Sequence, residues 1–139
     1  MSGYRSRGVV TFSETDASGR FHYTAALKWA ENAEHEIYRA AGVPIVRFPR
    51  RVVNATFERP FVDGDEYVVE LHVEKLGNTS ITYGWRILSG DEVAVTGSHT
   101  VIHLGESARP APLPEKLRDT LQRIAPASTG VGQPAGSHC

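Results

Sequence analysis

The chain changes hydrophobic period twice, and those changes divide it into elements. Val9, Val10 and Phe12 make residues 5–13 read as a first strand, which ends at Glu14-Thr15-Asp16. From position 24 the apolar residues recur at spacings of three and four: Leu27, Ala30, Ala33, Ile37, Tyr38. That is one face of an α-helix. Thr24 is the expected N-cap, Gly42 the expected C′ residue, and Pro44 forbids continuation. The helix is about 18 residues by this reading, or about 27 Å long.

Beyond Pro49 the period drops to two. Residues 51–57 alternate Val52, Asn54, Thr56 against Val53, Ala55, Phe57. Residues 67–75 place Tyr67, Val69, Leu71 and Val73 on one face and Val68, Glu70, His72 and Glu74 on the other. Ile81, Tyr83, Trp85 and Ile87 repeat the pattern, and residues 92–104 form a last strand. Turn signals separate these runs at Asp63-Gly64-Asp65, Gly77-Asn78 and Ser89-Gly90-Asp91. After Pro110, Pro112 and Pro114, the residues Leu117, Leu121 and Ile124 suit one short helix. The order is strand, long helix, four strands. This predicts an α+β domain over residues 1–124, with a five-stranded antiparallel sheet wrapped on one central helix. Residues 125–139, rich in Gly, Pro, Ser and Ala, are expected to form a disordered tail. One helix cannot cover a five-stranded sheet, so the uncovered surface and a sheet edge call for a second subunit.

Composition narrows the function classes. The 139 residues are 40% hydrophobic and 22% charged, with a net charge of -1. Nothing in that balance draws the protein to nucleic acid. The single cysteine, Cys139, rules out an intrachain disulfide and a cysteine-based zinc site. The N-terminal stretch has no apolar run behind it, and no segment approaches the ~20 apolar residues of a membrane span. A cytoplasmic protein without membrane insertion is expected.

The chemistry is expected between Glu14 and Trp29. Asp16 follows a strand end and precedes the helix start by about eight residues, which brings a carboxylate toward the free N–H groups of a helix N-terminus. A carboxylate beside an oxyanion site suffices for acyl transfer to water, as general base or as nucleophile. By spacing alone, an aspartate in a glycine-containing loop before a helix is more often a turn or capping residue. The run Ser13-Glu14-Thr15-Asp16-Ala17-Ser18-Gly19-Arg20-Phe21-His22-Tyr23, continued by Leu27-Lys28-Trp29, resembles the signature of the 4-hydroxybenzoyl-CoA thioesterase family of hotdog-fold enzymes. The resemblance spans roughly residues 7–122.

That resemblance implies a thioester hydrolase acting on an acyl-CoA or acyl-carrier-protein substrate. It assigns Asp16 as the catalytic carboxylate, the Tyr23 backbone amide as the polariser of the thioester carbonyl, and Gly19 as the residue that lets the loop pass close to the acyl group. It implies a homodimer or homotetramer with sites at the dimer interface, and no metal or cofactor. His22 and Ala25-Ala26 depart from the usual helix entry, which leaves the acyl group open. Where many relatives carry an arginine-rich patch, this chain has Glu74-Lys75-Leu76-Gly77-Asn78, with one cation, so a carrier-protein thioester stands beside CoA.

Substrate contacts are expected from Gly19, His22, Thr24, Ala26, Asn54 and Arg50, the last together with Arg47 and Arg51 as phosphate contacts. Glu31, Glu34 and His35 also invite attention, with Glu31 as the fallback carboxylate, although Lys28, Glu31 and His35 at helical spacing suit ordinary surface pairs. His72, His99 and His103 lack a carboxylate partner in the sequence, which argues against a metal. A non-catalytic acyl-thioester or ligand-binding hotdog module is the alternative. An Asp16 side chain turned to cap its own loop, with no adjoining cavity, would favour it.

Overall fold

The computed structural model describes residues 3–124. The expected tail at 125–139 lies outside the described residues. The elements are β1 (Tyr4–Val9), α1 (Tyr23–Ala41), β2 (Arg50–Phe57), β3 (Glu66–Leu76), β4 (Ser80–Ser89), β5 (Glu92–Ile102) and α2 (Glu115–Arg123), with single 3₁₀ turns at Phe12–Glu14 and Ile45–Arg47. The five strands form one antiparallel sheet in the order β1-β3-β4-β5-β2, so β1 and β2 are its edges.

Helix α1 has 19 residues and buries Ala25, Ala26, Trp29, Ala30, Ala33, Glu34, Ile37 and Tyr38. Four alanines on that face let the helix axis come close to the sheet. The facing sheet residues are Val69, Leu71, Val73, Ile81, Tyr83, Trp85, Ile87, Val95 and Val101, all buried. The expected alternation of β3 and β4 therefore sets which face meets the helix. At the β1 edge the Glu36 carboxylate accepts from the Tyr4 hydroxyl at 2.6 Å and from Ser6 Oγ at 3.0 Å, which clamps that strand to the helix.

Helix α1 packs on β1, β3 and β4. The β2 edge is left largely uncovered: Val52, Val53 and Phe57 are 49%, 45% and 41% exposed. The shortage of cover expected from one helix and five strands thus falls on a specific strand. At the opposite end α2 packs on α1 and buries Leu117 and Leu121.

Four element boundaries differ from expectation. The first strand stops at Val9 because the chain turns through the 3₁₀ segment at Phe12–Glu14. The N-cap is His22, not Thr24: its Nδ1 accepts from the Thr24 N–H at 3.3 Å, as an Asp or Asn oxygen would, and the helix starts at Tyr23. The last strand ends at Ile102, beyond which Leu104 bridges to Pro110. Ile124 follows α2 as its C-cap. Gly42 closes α1 at φ 74°, the left-handed conformation anticipated for it.

Candidate active site

The segment from Glu14 to Phe21 folds back on itself before entering α1. Thr15 and Phe21 form an antiparallel bridge. The Asp16 N–H donates to the Arg20 carbonyl at 3.0 Å, the Gly19 N–H to the Asp16 carbonyl at 2.9 Å, and the His22 N–H to the Glu14 carbonyl at 2.8 Å. Gly19 makes the return at φ 82°, which a side chain would strain. Phe21 is tied down through its N–H to the Phe61 carbonyl at 2.8 Å. Its ring stacks on Trp29 with centroids 5.6 Å apart and meets Phe61 edge-on at 5.4 Å.

Asp16 stands at the exposed tip of this loop. Its Oδ1 accepts from the Ser18 N–H at 2.9 Å and the Ser18 hydroxyl at 2.6 Å. These bonds, the hydroxyl's first, hold its carboxyl below the usual aspartate range. Oδ2 has no hydrogen bond from the described residues. One oxygen is thus locked by an Asx turn while the other is available. The Asp16 side chain does cap its own loop, which is the geometry expected of the binding-module alternative.

Tyr23 opens the helix, and its N–H finds no acceptor among the described residues, as befits a first-turn donor. The residue is 60% exposed, and its ring stacks on His22 at 4.7 Å and meets Phe57 of β2 edge-on at 6.2 Å. The helix entry therefore lies beside the open β2 edge. His22, Thr24 and Gly19 are exposed there too, while the Ala26 side chain is fully buried in the core.

Two expected substrate contacts sit elsewhere. The register pairs Asn54 with Ser98, and Ser98 with Gly84. This row lies on the sheet face away from α1, whereas Val53, Ala55 and Phe57 face the helix side. Strand alternation thus turns the Asn54 side chain away from the Tyr23 entry. Arg50 points to carboxylates: its Nη2 is 3.0 Å from Glu31 and 2.6 Å from Glu34. Its guanidinium is already neutralised by two acids. Glu31 correspondingly pairs with Arg50, not with Lys28 or His35.

Glu34, noted in the sequence only beside Glu31 and His35, is completely buried. It accepts from Tyr38 at 2.5 Å, from Arg50 at 3.1 Å and from His99 Nε2 at 2.8 Å. Burial pushes its carboxyl up, but the bonds from His99 and Arg50 outweigh that and leave it below the ordinary range. The signal was present: Ala30, Glu34, Ile37 and Tyr38 share a helix face. The histidines do not converge. His99 is engaged by Glu34 and Trp85, and His103 Nδ1 lies 3.1 Å from the Ala111 carbonyl. No group of three metal-binding side chains occurs among the described residues. An open hollow of about 490 Å³ lies on the outer sheet face around Arg5, Glu70 and Arg86; it shares no residue with the Asp16 loop. There Glu70 is ion-paired with Arg5 and, at 2.5 Å, with Arg86.

Residues 18–96 match the family model of the thioesterase superfamily. The chain belongs to that superfamily. It has the hotdog fold, and its reaction is thioester hydrolysis. It is 26% identical over 137 residues to a 1,4-dihydroxy-2-naphthoyl-CoA hydrolase of Synechococcus elongatus, covering 90% of this chain and 99% of that protein. A thioesterase from Thermus thermophilus, solved with coenzyme A and zinc, superposes with a TM-score of 0.79 at 26% identity, covering 89% of this chain and 96% of that one. The 1,4-dihydroxy-2-naphthoyl-CoA thioesterase of Synechocystis superposes with a TM-score of 0.78 at 14% identity, over 86% and 96% of the two chains. No helix among the described residues is long and apolar enough to cross a membrane.

Proposed function

We propose that this thioesterase hydrolyses an acyl-CoA thioester with Asp16 as its catalytic carboxylate and the Tyr23 amide as its oxyanion donor. The observation that supports this is the division of labour within Asp16. Oδ1 is fixed by Ser18 and Oδ2 is unbonded, at a loop whose backbone is bonded into the entry of α1. A cap that used both oxygens would leave nothing for chemistry. The ionised carboxylate takes a proton from water as it attacks the acyl carbon, or attacks that carbon itself to give an anhydride that water then opens. The carbonyl oxygen gathers negative charge against the Tyr23 N–H and the positive end of α1. The products are the free acid and the thiol.

The exposed Tyr23, Phe57 and Val53 favour a site completed by a second copy of the chain across the β2 edge. Gly19, His22 and Thr24 line the entry in this reading, with Ala26 packed in the core behind it, and a cytoplasmic location accompanies it. CoA is preferred over a carrier protein because the relative of known activity named above acts on a CoA thioester. The test is Asp16→Asn, assayed on a panel of aromatic, short and long acyl-CoAs beside an acyl-carrier-protein thioester. The variant is expected to keep fold and assembly and to lose at least about a hundredfold in kcat. Hydrolysis at the wild-type rate would overturn the assignment.

A further inference from the structure

Glu14 lies two residues before Asp16, and its hydrogen bonds reach well beyond its own turn. Oε1 accepts from the Thr11 N–H at 3.0 Å, the capping bond expected of a 3₁₀ turn that starts after Thr11. Oε2 does something that capping does not require: it accepts from the Trp29 indole N–H at 2.9 Å, fifteen residues along the chain. The Glu14 carbonyl also takes the His22 N–H at 2.8 Å.

Trp29 is a rigid partner. It is 2% exposed, and its ring is stacked on Tyr67 at 4.0 Å and on Phe21 at 5.6 Å, with Phe61 edge-on at 5.4 Å. Its indole nitrogen belongs to the same helix whose first amide is that of Tyr23. Glu14 therefore fastens one limb of the Asp16 loop directly to α1. Asp16 itself is exposed, and its side chain bonds only within its own loop. Its placement against the helix entry is set by the loop's backbone and by what anchors that backbone.

We propose that Glu14 is a positioning residue for thioester hydrolysis, holding Asp16 in register with the Tyr23 amide through its bond to the Trp29 indole. This rests on the reading of Asp16 given above. Small displacements matter in such a site, since a misplacement of about 1 Å can cost about a hundredfold in rate.

The test uses Trp29→Phe, which keeps an aromatic ring in the stack and removes the donor, together with Glu14→Ala and Glu14→Gln. Each is measured alone and in an Asp16→Asn background. For Trp29→Phe and Glu14→Ala, kcat is expected to fall about tenfold or more with KM within about twofold. Glu14→Gln, which keeps one acceptor, is expected to fall between these and the wild type. In the Asp16→Asn background Trp29→Phe is expected to change the residual rate no further. Wild-type kcat in Trp29→Phe and Glu14→Ala overturns the proposal while leaving Asp16 intact. An equal fold-loss in both backgrounds overturns it as well, because the effect then bypasses Asp16. A lowered Tm with kcat and KM both displaced marks a structural role and also overturns it. Wild-type turnover in Asp16→Asn itself overturns the Asp16 reading, and the positioning role with it.

Discussion

His99 Nε2 lies 2.8 Å from Oε1 of Glu34, across the interface between α1 and β5 and shielded from water. The other ring nitrogen, Nδ1, receives the Trp85 indole N–H at 3.1 Å. An indole can only donate, so the hydrogen-bond network assigns the His99 proton to Nε2 and directs it at Glu34. The Tyr83 hydroxyl donates to that of Tyr38 at 2.9 Å, and Tyr38 donates in turn to Glu34. No buried side-chain nitrogen or oxygen among the described residues lacks a partner. A polar cluster of this size survives in a core only when every member is satisfied.

Removing its centre is therefore expected to be costly. Glu34→Ala strands the donors of His99 and Tyr38 and leaves Arg50 with Glu31 alone. A loss of about 3–5 kcal/mol is expected, read from urea unfolding at neutral pH. The pH dependence has a fixed sign. The folded-state carboxyl is held below its ordinary value of 4.5, so its stabilising contribution is full above that value. It is lost as pH falls from there through the folded-state pKa. The stability gap between wild type and Glu34→Gln should narrow over that acid range. A gap that stays constant from neutral pH into that range would contradict this account.

Ser18 supplies both bonds that lower the Asp16 carboxyl, and its hydroxyl is the larger contributor. Activity that requires ionised Asp16 should fall on the acid side only below the ordinary aspartate range. Ser18→Ala removes the hydroxyl and lets the carboxyl rise, so the acid limb of kcat/KM should move to higher pH. An unmoved limb would disconnect Asp16 from the titration.

The open β2 edge makes a prediction about assembly. Val53→Lys places a charge among exposed apolar residues that face the helix side. Sedimentation velocity is expected to show a dimer for the wild type and a monomer for the variant, with thioesterase activity lost alongside. A Val53→Lys chain that remains dimeric and active would move the interface elsewhere.

Gly97 is required by a close approach. A Cβ there would lie 2.4 Å from Trp85 Cζ2 and 2.6 Å from the Asn54 carbonyl oxygen, a backbone atom that cannot swing away. Gly97→Ala is expected to destabilise by about 1–3 kcal/mol, visible as a lowered Tm. It should also disturb the β2–β5 pairing and hence assembly.

The elements were legible in the sequence because their periods are local. The run Leu27, Ala30, Ala33, Ile37, Tyr38 specifies a helix wherever it sits, and the alternation of β3 and β4 specifies which side chains go inward. Gly42 was legible for the same reason, since it satisfies a backbone requirement of its own turn. The Asp16 motif stood out through its likeness to a family signature, not through its spacing. What the sequence left open depends on contacts between distant positions. Arg50 reads as a basic loop residue until the fold brings Glu31 and Glu34 to it. Asn54 reads as a pocket residue until the pairing with Ser98 assigns its face. Glu34 reads as one acid among several until His99, sixty-five positions away, meets it in the core. Periodicity is a property of neighbours along the chain, and it determined the helix, the strands and their inward faces. Charge compensation and burial are properties of neighbours in space, and only the tertiary structure decided which carboxylate is buried in the core and which stands exposed at the candidate site.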